Sequence, residues 1–298
     1  MPGHWIRHWL LLCCLLGSLP LPAADIILGS AEDSPAIRAF SAALAQRRPQ
    51  DRVQFQPLGQ LPSPADIPAD TRLILLGPQA LDWRLGAAQG PPTLVLRVSQ
   101  VHARKRLGAS RPADLTLLWS EPAPARQLRL ARVLLPQARR IGVLYDGHSE
   151  FLLDELRQAA APLGLEIVGQ AWPDSRDNRP VLALLRRSDL LLGVDDADLY
   201  NPRTAKNLLL TSYAQQRALI GPGAAFVRAG SLASSYSDQA DWLASLDQLL
   251  DQPPAHWPSS AYPTHFKVLG NRQVARALAI ELVDDASLAR QVAEGETP

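Results

Sequence analysis

The chain has 298 residues, with 30 Lys or Arg against 29 Asp or Glu and a formal net charge of +1. This balance gives no electrostatic reason to expect nucleic acid or an anionic membrane surface as a partner. Hydrophobic residues make up 47% of the sequence, and a chain of this length can bury most of the surface that its unfolded form exposes. Length and composition therefore predict a globular protein of about two domains.

Residues 1–24 predict a cleaved secretory signal peptide. Arg7 precedes an apolar run at residues 9–16, and Ala23 and Ala24 offer the small side chains that suit a signal peptidase. The apolar run is well short of the ~20 residues that a membrane-spanning helix needs, which disfavours a permanent anchor. A lipoprotein is also disfavoured, because no small residue precedes Cys14. We therefore expect export to the periplasm, with cleavage near Ala23-Ala24.

The predicted signal segment also contains both cysteines, Cys13 and Cys14. Its removal leaves no disulfide, no thiol nucleophile and no cysteine metal ligand in the mature protein. Arg7 is its only charged residue, so the 30 basic residues fall to 29 and equal the 29 acidic ones. The mature protein is predicted to be uncharged overall and to depend on its core for stability.

From Asp25 onward, short apolar runs alternate with segments of helical periodicity, as in βαβ units around parallel sheets. A first lobe is predicted at residues 25–122. Asp33 or Ser34 can cap its first helix, which has Pro35 in the first turn. Strands are predicted at residues 26–28, 53–55, 73–76, 93–96 and 115–119.

The same alternation predicts a second lobe at residues 123–237. It opens with a helix at 123–135, whose arginines, Arg126, Arg129 and Arg132, are interpreted as a solvated face. Strands follow at 141–145, 165–168, 190–194 and 219–221, with helices at 151–163, 182–185 and 204–216. The segments around 238–298 include a helix at 242–250, a strand at 265–269 and a helix at 273–279. They are predicted to return to the first lobe and so to form a hinge of several crossings.

The order of these motifs resembles the ABC-transporter substrate-binding proteins with a type I periplasmic-binding fold. The resemblance covers residue 123 to the end well, and residues 25–119 less well. It is carried by the segments PQARRIGVLYD (136–146), AAPLGLE (160–166), SDLLLGVDD (188–196), VRAGSLA (227–233) and NRQVARAL (271–278). It implies an α/β fold of two Rossmann-like lobes with parallel sheets, joined by a multi-crossing hinge.

Two loops depart from the pattern of this family where a ligand is expected. After the third strand the family offers a small hydroxyl residue, whereas this chain has Gly77-Pro78-Gln79. After the fourth strand the family has an acidic residue and a proline, whereas this chain has Ser99-Gln100-Val101. The resemblance therefore implies the fold without indicating the ligand.

Candidate ligand contacts are the polar residues that follow the strands, because ligands of open parallel sheets bind beyond the carboxyl ends of the strands. Each of these residues could instead cap a helix or form a turn. Trp119 is added as the tryptophan that could stack on a ligand, since the other tryptophans are expected in the core. The candidates in the first lobe are Ser30, Glu32, Asp33, Gln79, Ser99, Gln100 and Trp119. In the second lobe they are Asp146, Ser149, Glu150, Asp195, Asp196, Tyr200, Asn201, Ser235 and Tyr236.

The segment Asp195-Asp196-Ala197-Asp198 places three carboxylates in four residues, which could bind a hard cation. It lacks the glycine and the distal glutamate of a calcium loop. In the resembling family an acidic residue at this strand end faces the ligand cleft, so an aspartate opposing a ligand ammonium group is the favoured interpretation. No metal site is predicted.

A catalytic function is disfavoured by the loop Gly147-His148-Ser149-Glu150-Phe151. A nucleophile elbow needs glycine two positions after the serine, and Phe151 stands there. Ser149 is interpreted as the N-cap of the following helix. Neither a dinucleotide-binding glycine motif nor a phosphate-binding loop with its lysine is present, and we expect no enzyme activity and no cofactor.

The sequence therefore predicts a periplasmic solute-binding protein that closes on a small polar, amino-acid-like molecule. The family resemblance implies delivery of this molecule to an inner-membrane ABC permease. The main alternative is a ligand sensor or adaptor that signals to a membrane receptor, and a periplasmic serine hydrolase is a distant third. A monomer is expected.

Overall fold

The computed structural model describes residues 24–107 and 111–295. The predicted signal peptide, except its last residue, lies outside the described residues, as do Cys13 and Cys14. No helix in the described ranges is both long enough and apolar enough to cross a membrane.

The first sheet has six parallel strands in the order β11-β5-β4-β3-β1-β2. Parallel strands buried on both faces are rich in Leu, Ile and Val, and β3 shows this in four consecutive buried residues, Leu73 to Leu76. The strands are β1 (Asp25–Ser30), β2 (Arg52–Pro57), β3 (Arg72–Leu76), β4 (Thr93–Val98), β5 (Leu115–Trp119) and β11 (Ser260–Ala261). All five strands predicted for this lobe are confirmed.

The second sheet repeats this design in the order β12-β10-β9-β8-β6-β7. Its strands are parallel except for β12, which pairs antiparallel with β10. They are β6 (Arg140–Tyr145), β7 (Glu166–Ala171), β8 (Leu190–Leu192), β9 (Ala218–Ile220), β10 (Ala233–Tyr236) and β12 (Lys267–Gly270). The predicted α/β class with two mostly parallel sheets is therefore confirmed.

Helices connect the strands in both lobes. They are α1 (Pro35–Arg47), α2 (Pro78–Arg84), α3 (Gln100–Leu107), α4 (Pro124–Leu134), α5 (Leu152–Ala160), α6 (Arg179–Arg187), α7 (Pro202–Ala214), α8 (Ala224–Ala229), α9 (Gln239–Leu250), α10 (Arg272–Ala277) and α11 (Asp285–Glu294). Short 3₁₀ helices lie at Leu58–Gln60, Pro64–Asp66, Ala161–Leu163 and Pro254–His256. The predicted cap of α1 is confirmed, because the Ser34 hydroxyl accepts a hydrogen bond from the Ile37 N–H.

The C-terminal part of the chain divides between the two lobes instead of returning to the first alone. Helix α9 packs Trp242 and Leu246 against the first sheet, and β11 extends that sheet. By contrast, Val274 of α10 and Leu288 of α11 belong to the core of the second lobe, and β12 extends the second sheet. The apolar face of each helix is thus buried against the sheet that contains the neighbouring strand. The predicted boundaries of the two lobes as domains stay a prediction.

The predicted solvated face of α4 is wrong for Arg126. Its side chain is buried, donates a hydrogen bond to the Pro263 carbonyl and stacks its guanidinium 4.0 Å from the centre of the Phe266 ring. The interpretation failed because the helix period shows only which residues lie opposite the apolar face. It does not show that residues 262–266 pass over that polar side and cover it. Arg126 therefore ties α4 to the last connection between the lobes.

Three chain segments connect the lobes: residues 120–123, 237–238 and 262–266. Gln127 lies beside them and satisfies buried polar groups on two strand ends. Its amide nitrogen donates to the Gly221 carbonyl (3.0 Å) and to Ser234 (3.1 Å), and its amide oxygen accepts from the Ser235 N–H (3.0 Å) and hydroxyl (3.1 Å). Ser235, a candidate ligand contact, is thus fully buried and used structurally.

We expect Gln127→Ala to destabilise the protein by about 2–4 kcal/mol, because it leaves several buried polar groups without partners. Chemical denaturation should show this loss. Gln158→Ala, at an exposed position of α5, is the matched control and should stay within about 0.5 kcal/mol of the wild type. Equal stability of the two variants would contradict the structural role of Gln127.

Candidate functional site

The carboxyl ends of the strands of both sheets meet at one cleft between the lobes. In the first sheet the chain order reverses beside β1 and β3, and in the second beside β6 and β8. Such a reversal separates the loops that follow the two strands and opens a crevice there. The cleft is lined from the first lobe by Leu76 and Arg97, and from the second by Asp195 and Pro222.

The cleft has an inner and an outer part that share Asp195 and Pro222 in their walls. The inner pocket beside the connecting segments is small, with a cavity volume of about 40 Å³, and the outer cleft is a wider opening of about 530 Å³. The inner pocket is lined by Gln100, Glu121, Gln127, Leu152, Leu156, Leu192, Gly193, Asp195 and Tyr262, with Pro122, Pro124, Val194 and Pro222.

Two carboxyl groups, those of Glu121 and Asp195, lie together in the inner pocket. The Ser120 hydroxyl contacts both, at 2.6 Å from Asp195 and 3.2 Å from Glu121, and the Gln100 N–H donates to Glu121 (2.8 Å). Burial, together with the neighbouring charge of Asp195, raises the pKa of Glu121 to about 8. Burial also raises the pKa of Asp195. Both side chains are half-buried, and a pair of acids in such a place favours a bound cation, which would stabilise the ionised forms.

A third carboxylate, Glu155 of α5, lies beside this pair. The Tyr262 hydroxyl donates to Glu155 (2.7 Å), and the Gln100 side-chain amide donates to it as well (3.0 Å). Gln100 also contacts the Tyr262 hydroxyl directly. Burial, and next the bond to Glu155, raise the pKa of Tyr262, so its hydroxyl stays a proton donor. The network joins both lobes to the last connecting segment.

Arg97 supplies a cation to the outer cleft. It lies in β4 with φ of 60°, where the pairing of β4 with β5 shifts register between Leu96 and Val98. The left-handed region is unfavourable for a residue with a Cβ, and such strain is concentrated at functional sites. The side chain of Arg97 is exposed and lines the cleft opposite Asp195.

Aromatic and apolar side chains form the rest of the outer cleft. Tyr200 and Phe226 contact each other edge to face, with ring centres 5.8 Å apart, and Phe40, Tyr236 and Trp242 line the same opening. The cleft therefore combines charged groups of both signs with an apolar surface. A small molecule that carries both charges and an apolar side chain fits this chemistry.

The two lobes touch at α3. Lys105 forms an ion pair with Asp198 (2.9 Å), and the Arg104 guanidinium lies 4.4 Å from the centre of the Phe151 ring. Val101 packs into the core of the second lobe. These contacts hold the lobes together on one side of the cleft.

The candidates predicted from sequence fall into three groups. Gln100, Asp195, Tyr200 and Tyr236 line the inner pocket or the outer cleft. A second group has structural partners. Ser30, Ser99 and Asn201 accept hydrogen bonds from nearby backbone N–H groups, and Ser235 is hydrogen-bonded to Gln127. Trp119 packs on the first-lobe core, and Asp146, Ser149 and Asp196 form a turn cluster. The third group, Glu32, Asp33, Gln79 and Glu150, is exposed outside the lining of both cavities, and Asp33 pairs with Arg38.

Ser149 does not cap α5, contrary to the prediction. The helix begins at Leu152 after Phe151, whose side chain makes no capping hydrogen bond. Ser149 instead donates to the Asp146 carboxylate (3.1 Å) and accepts from the Asp146 N–H (3.0 Å). The two residues close a turn before the helix, so the helix starts two residues later than a cap at Ser149 would place it.

Sequence reasoning missed Arg97, Glu121, Glu155 and Tyr262. Arg97 is inside a strand whose pattern gave no sign of a bulge. Glu121 lies two residues after the end of β5, so the rule that polar residues follow the strands could have found it. Glu155 is on a helix face and Tyr262 is in the last connection, so only the tertiary fold brings them to the cleft.

No protein-family model matches this chain, and no curated protein matches it either. Solved structures do match. A ligand-free, open substrate-binding protein with adhesive properties from Clostridium difficile has a TM-score of 0.66 at 17% identity, over 88% of this chain and 97% of that chain. An ABC domain from Streptococcus pneumonia in complex with L-Trp has a TM-score of 0.58 at 17% identity, over 90% of this chain and 98% of that one.

A third similar structure is a conserved domain protein from Vibrio cholerae, with a TM-score of 0.57 at 17% identity over 90% of this chain and 98% of that one. The likeness extends through both lobes of each protein. It confirms that the chain has the two-lobed fold of the type I periplasmic-binding proteins.

The Glu121 carboxyl predicts a pH dependence of stability. A carboxyl whose pKa is raised on folding binds a proton more tightly when folded, so stability falls as pH rises from about 4.5 to about 8. Glu121→Gln keeps a neutral side chain at every pH. We expect wild type and variant to be similar at pH 5, and the variant to be more stable at pH 9 by about 1–3 kcal/mol.

Chemical denaturation across this pH range measures the difference. Glu166→Gln, which changes an exposed carboxylate of β7, should show no such divergence. If the Glu121→Gln variant has the same stability as the wild type at every pH, the raised pKa of the Glu121 carboxyl is contradicted.

Proposed function

We propose that this chain is a periplasmic solute-binding protein that closes on a small amino-acid-like zwitterion and delivers it to an inner-membrane ABC permease. The observation that carries the proposal is the placement of Asp195 and Arg97 on opposite lobes of one cleft, beside an apolar wall. The fold supports it as well, since the structures with the same fold include a substrate-binding protein and an ABC domain with bound L-Trp.

Asp195 is the partner for the ligand ammonium group. It lies at the end of the second sheet, where the inner pocket and the outer cleft meet. Glu121 lies next to it, so the pocket contains two acidic side chains. An ammonium group placed here gains charge-assisted hydrogen bonds in a water-poor setting, where they are stronger than at the surface.

Arg97 is the partner for the ligand carboxylate. A guanidinium binds a carboxylate through two parallel hydrogen bonds, which fixes orientation as well as charge. The strained backbone of Arg97 fits this role, because it aims an exposed cation into the cleft at a cost in stability. The apolar wall of Phe226 and Trp242 then receives the side chain of the ligand.

Closure follows from this division of contacts. Because Asp195 and Arg97 belong to different lobes, a ligand that binds both stabilises the arrangement in which the lobes are close. The three connecting segments are the hinge for this motion. A membrane permease can then distinguish the loaded form by its closed shape. Export rests on the predicted signal peptide.

The same closure could serve a membrane receptor instead of a permease. The loops Gly77-Pro78-Gln79 and Ser99-Gln100-Val101, which depart from the family pattern, favour keeping this sensor or adaptor as the second candidate. Co-purification of the loaded protein with a permease supports delivery, and co-purification with a kinase or cyclase receptor supports sensing.

Asp195→Asn should lower the affinity for the zwitterionic ligand by about 10- to 100-fold, because an amide cannot pair with an ammonium group. Isothermal titration calorimetry with the zwitterion that binds the wild-type protein measures the loss of affinity. Asp174→Asn, at an exposed carboxylate paired with Arg176, is the control and should bind normally. Unchanged affinity in Asp195→Asn would refute the assigned role.

Arg97→Gly should abolish most ligand binding while it keeps or raises stability by about 0.5–1 kcal/mol, because glycine adopts positive φ without a Cβ clash. Calorimetric titration and thermal unfolding of the same sample measure the two effects. Arg97→Lys keeps the charge and should bind more weakly than the wild type but better than Arg97→Gly. A glycine variant that binds normally would show that Arg97 does not hold the ligand.

A further inference from the structure

Three carboxylates of the second lobe converge on one point at the edge of the cleft. Asp146 follows β6, and Asp196 and Asp198 lie in the turn after β8. One carboxylate oxygen from each residue lies within 4.8 Å of the corresponding oxygens of the other two. The two strands are neighbours in the sheet, so the convergence is produced by the fold and not by chain proximity alone.

The central carboxylate of the cluster is Asp196, and it is unusually placed. Its side chain is only 1% exposed. Oδ1 accepts a hydrogen bond from the Asp198 N–H (2.9 Å), whereas the buried Oδ2 atom has no hydrogen bond among the described residues. The nearby Ser149 hydroxyl has one proton, which it donates to Asp146 (3.1 Å). A buried carboxylate oxygen without a partner costs free energy unless something positive binds it.

The flanking carboxylates are held in position by other bonds. Oδ1 of Asp146 accepts from the N–H groups of His148 (2.7 Å) and Ser149 (3.1 Å) and from the Ser149 hydroxyl (3.1 Å). Oδ2 of Asp198 pairs with Lys105 of the first lobe (2.9 Å). The lysine neutralises one of three negative charges, which leaves an excess of two beside the unpartnered oxygen of Asp196.

We propose that Asp146, Asp196 and Asp198 bind one divalent hard cation, and that calcium is preferred. The cluster offers only oxygen atoms, which suits Ca²⁺ or Mg²⁺ better than Zn²⁺ or Cu²⁺. The three oxygens lie within 4.8 Å of one another, which brings them close enough to share one ion. Calcium is preferred because Mg²⁺ dehydrates reluctantly and is usually held by one or two carboxylates, whereas Ca²⁺ accepts more oxygen ligands from the protein in a flexible geometry.

The turn that follows β8 thus contributes residues to two separate sites, the ligand cleft and the carboxylate cluster. Asp195 lines the ligand cavities, whereas Asp196 lies outside their lining and shares the cluster with Asp146. The cation site therefore does not need the zwitterionic ligand, and it can be tested without knowing that ligand. It also joins the loops that follow β6 and β8, where a bound ion would fix the loop that carries Asp195.

The test is calorimetric titration of the purified protein, treated with a chelator and dialysed, with CaCl₂ and separately with MgCl₂. We expect one Ca²⁺ per chain with a Kd of about 10⁻⁵ to 10⁻³ M, between the weakest sensor sites and the extracellular sites, and weaker binding of Mg²⁺. Thermal unfolding should show a higher Tm in CaCl₂ than in NaCl of equal ionic strength.

Asp196→Asn and Asp146→Asn should each weaken Ca²⁺ binding at least about tenfold, since each removes one charged ligand. Both keep the size of the side chain, and circular dichroism confirms that each variant is folded. Asp174→Asn is the control and should bind Ca²⁺ as the wild type does. If Asp196→Asn fails to fold, Asp198→Asn provides the same test at an exposed position.

The proposal is overturned if neither cation produces heat or a Tm shift up to about 100 times the upper Kd expected here. It is also overturned if folded Asp196→Asn, or Asp198→Asn in its place, binds Ca²⁺ as tightly as the wild type does. Mg²⁺ binding as tight as that of Ca²⁺ would overturn the preference for calcium. None of these results depends on whether the cleft binds a zwitterion.

Discussion

Parallel alignment of the strands is the constraint on which the rest of this structure depends. Because every central strand of a sheet runs in the same direction, all of the loops that follow the strands gather at one edge. Two such edges, joined by three short connections, face each other across the cleft. The polar residues are therefore concentrated there, while Leu, Ile and Val fill the sheets themselves. The placement of Asp195 opposite Arg97, and of Glu121 beside the connections, follows from this arrangement.

Three kinds of local cost lie at or beside the cleft. Arg97 holds a left-handed backbone, and Asp196 holds a buried oxygen without a partner. Glu121 and Asp195 add the desolvation of two neighbouring acids. Local costs also occur away from the cleft, as in the buried Arg84 and Ser231 atoms without partners and the positive φ of Ala279. By contrast, Gln127 satisfies the buried polar groups around it with four hydrogen bonds. The costs at the cleft are of a kind that a bound ligand can offset.

The fold was largely predictable from the sequence, whereas the site was not. Strand runs such as Leu73 to Leu76 and the cap at Ser34 depend on local patterns, and the structure confirms them. Asp195 was found for the same reason, because it directly follows a buried strand. Arg126, Glu155 and Tyr262 depend on which segment crosses over which helix, and no local period encodes that. Ser149 was misassigned because the Asp146 carboxylate competes for its hydroxyl and forms a turn ahead of the helix.

The central claim is that the cleft binds a small molecule with both charges. A thermal-shift screen of the purified protein against amino acids, short peptides, sugars, nucleosides and inorganic anions tests it most directly. A ligand present at 100 times its Kd stabilises the folded state by about 2.7 kcal/mol, which is a shift of several degrees. We expect amino acids with an apolar side chain to raise the melting temperature, and we expect their amides and their N-acetyl forms to leave it unchanged. A shift produced by sugars, nucleosides or simple anions alone, or by no compound, would contradict it.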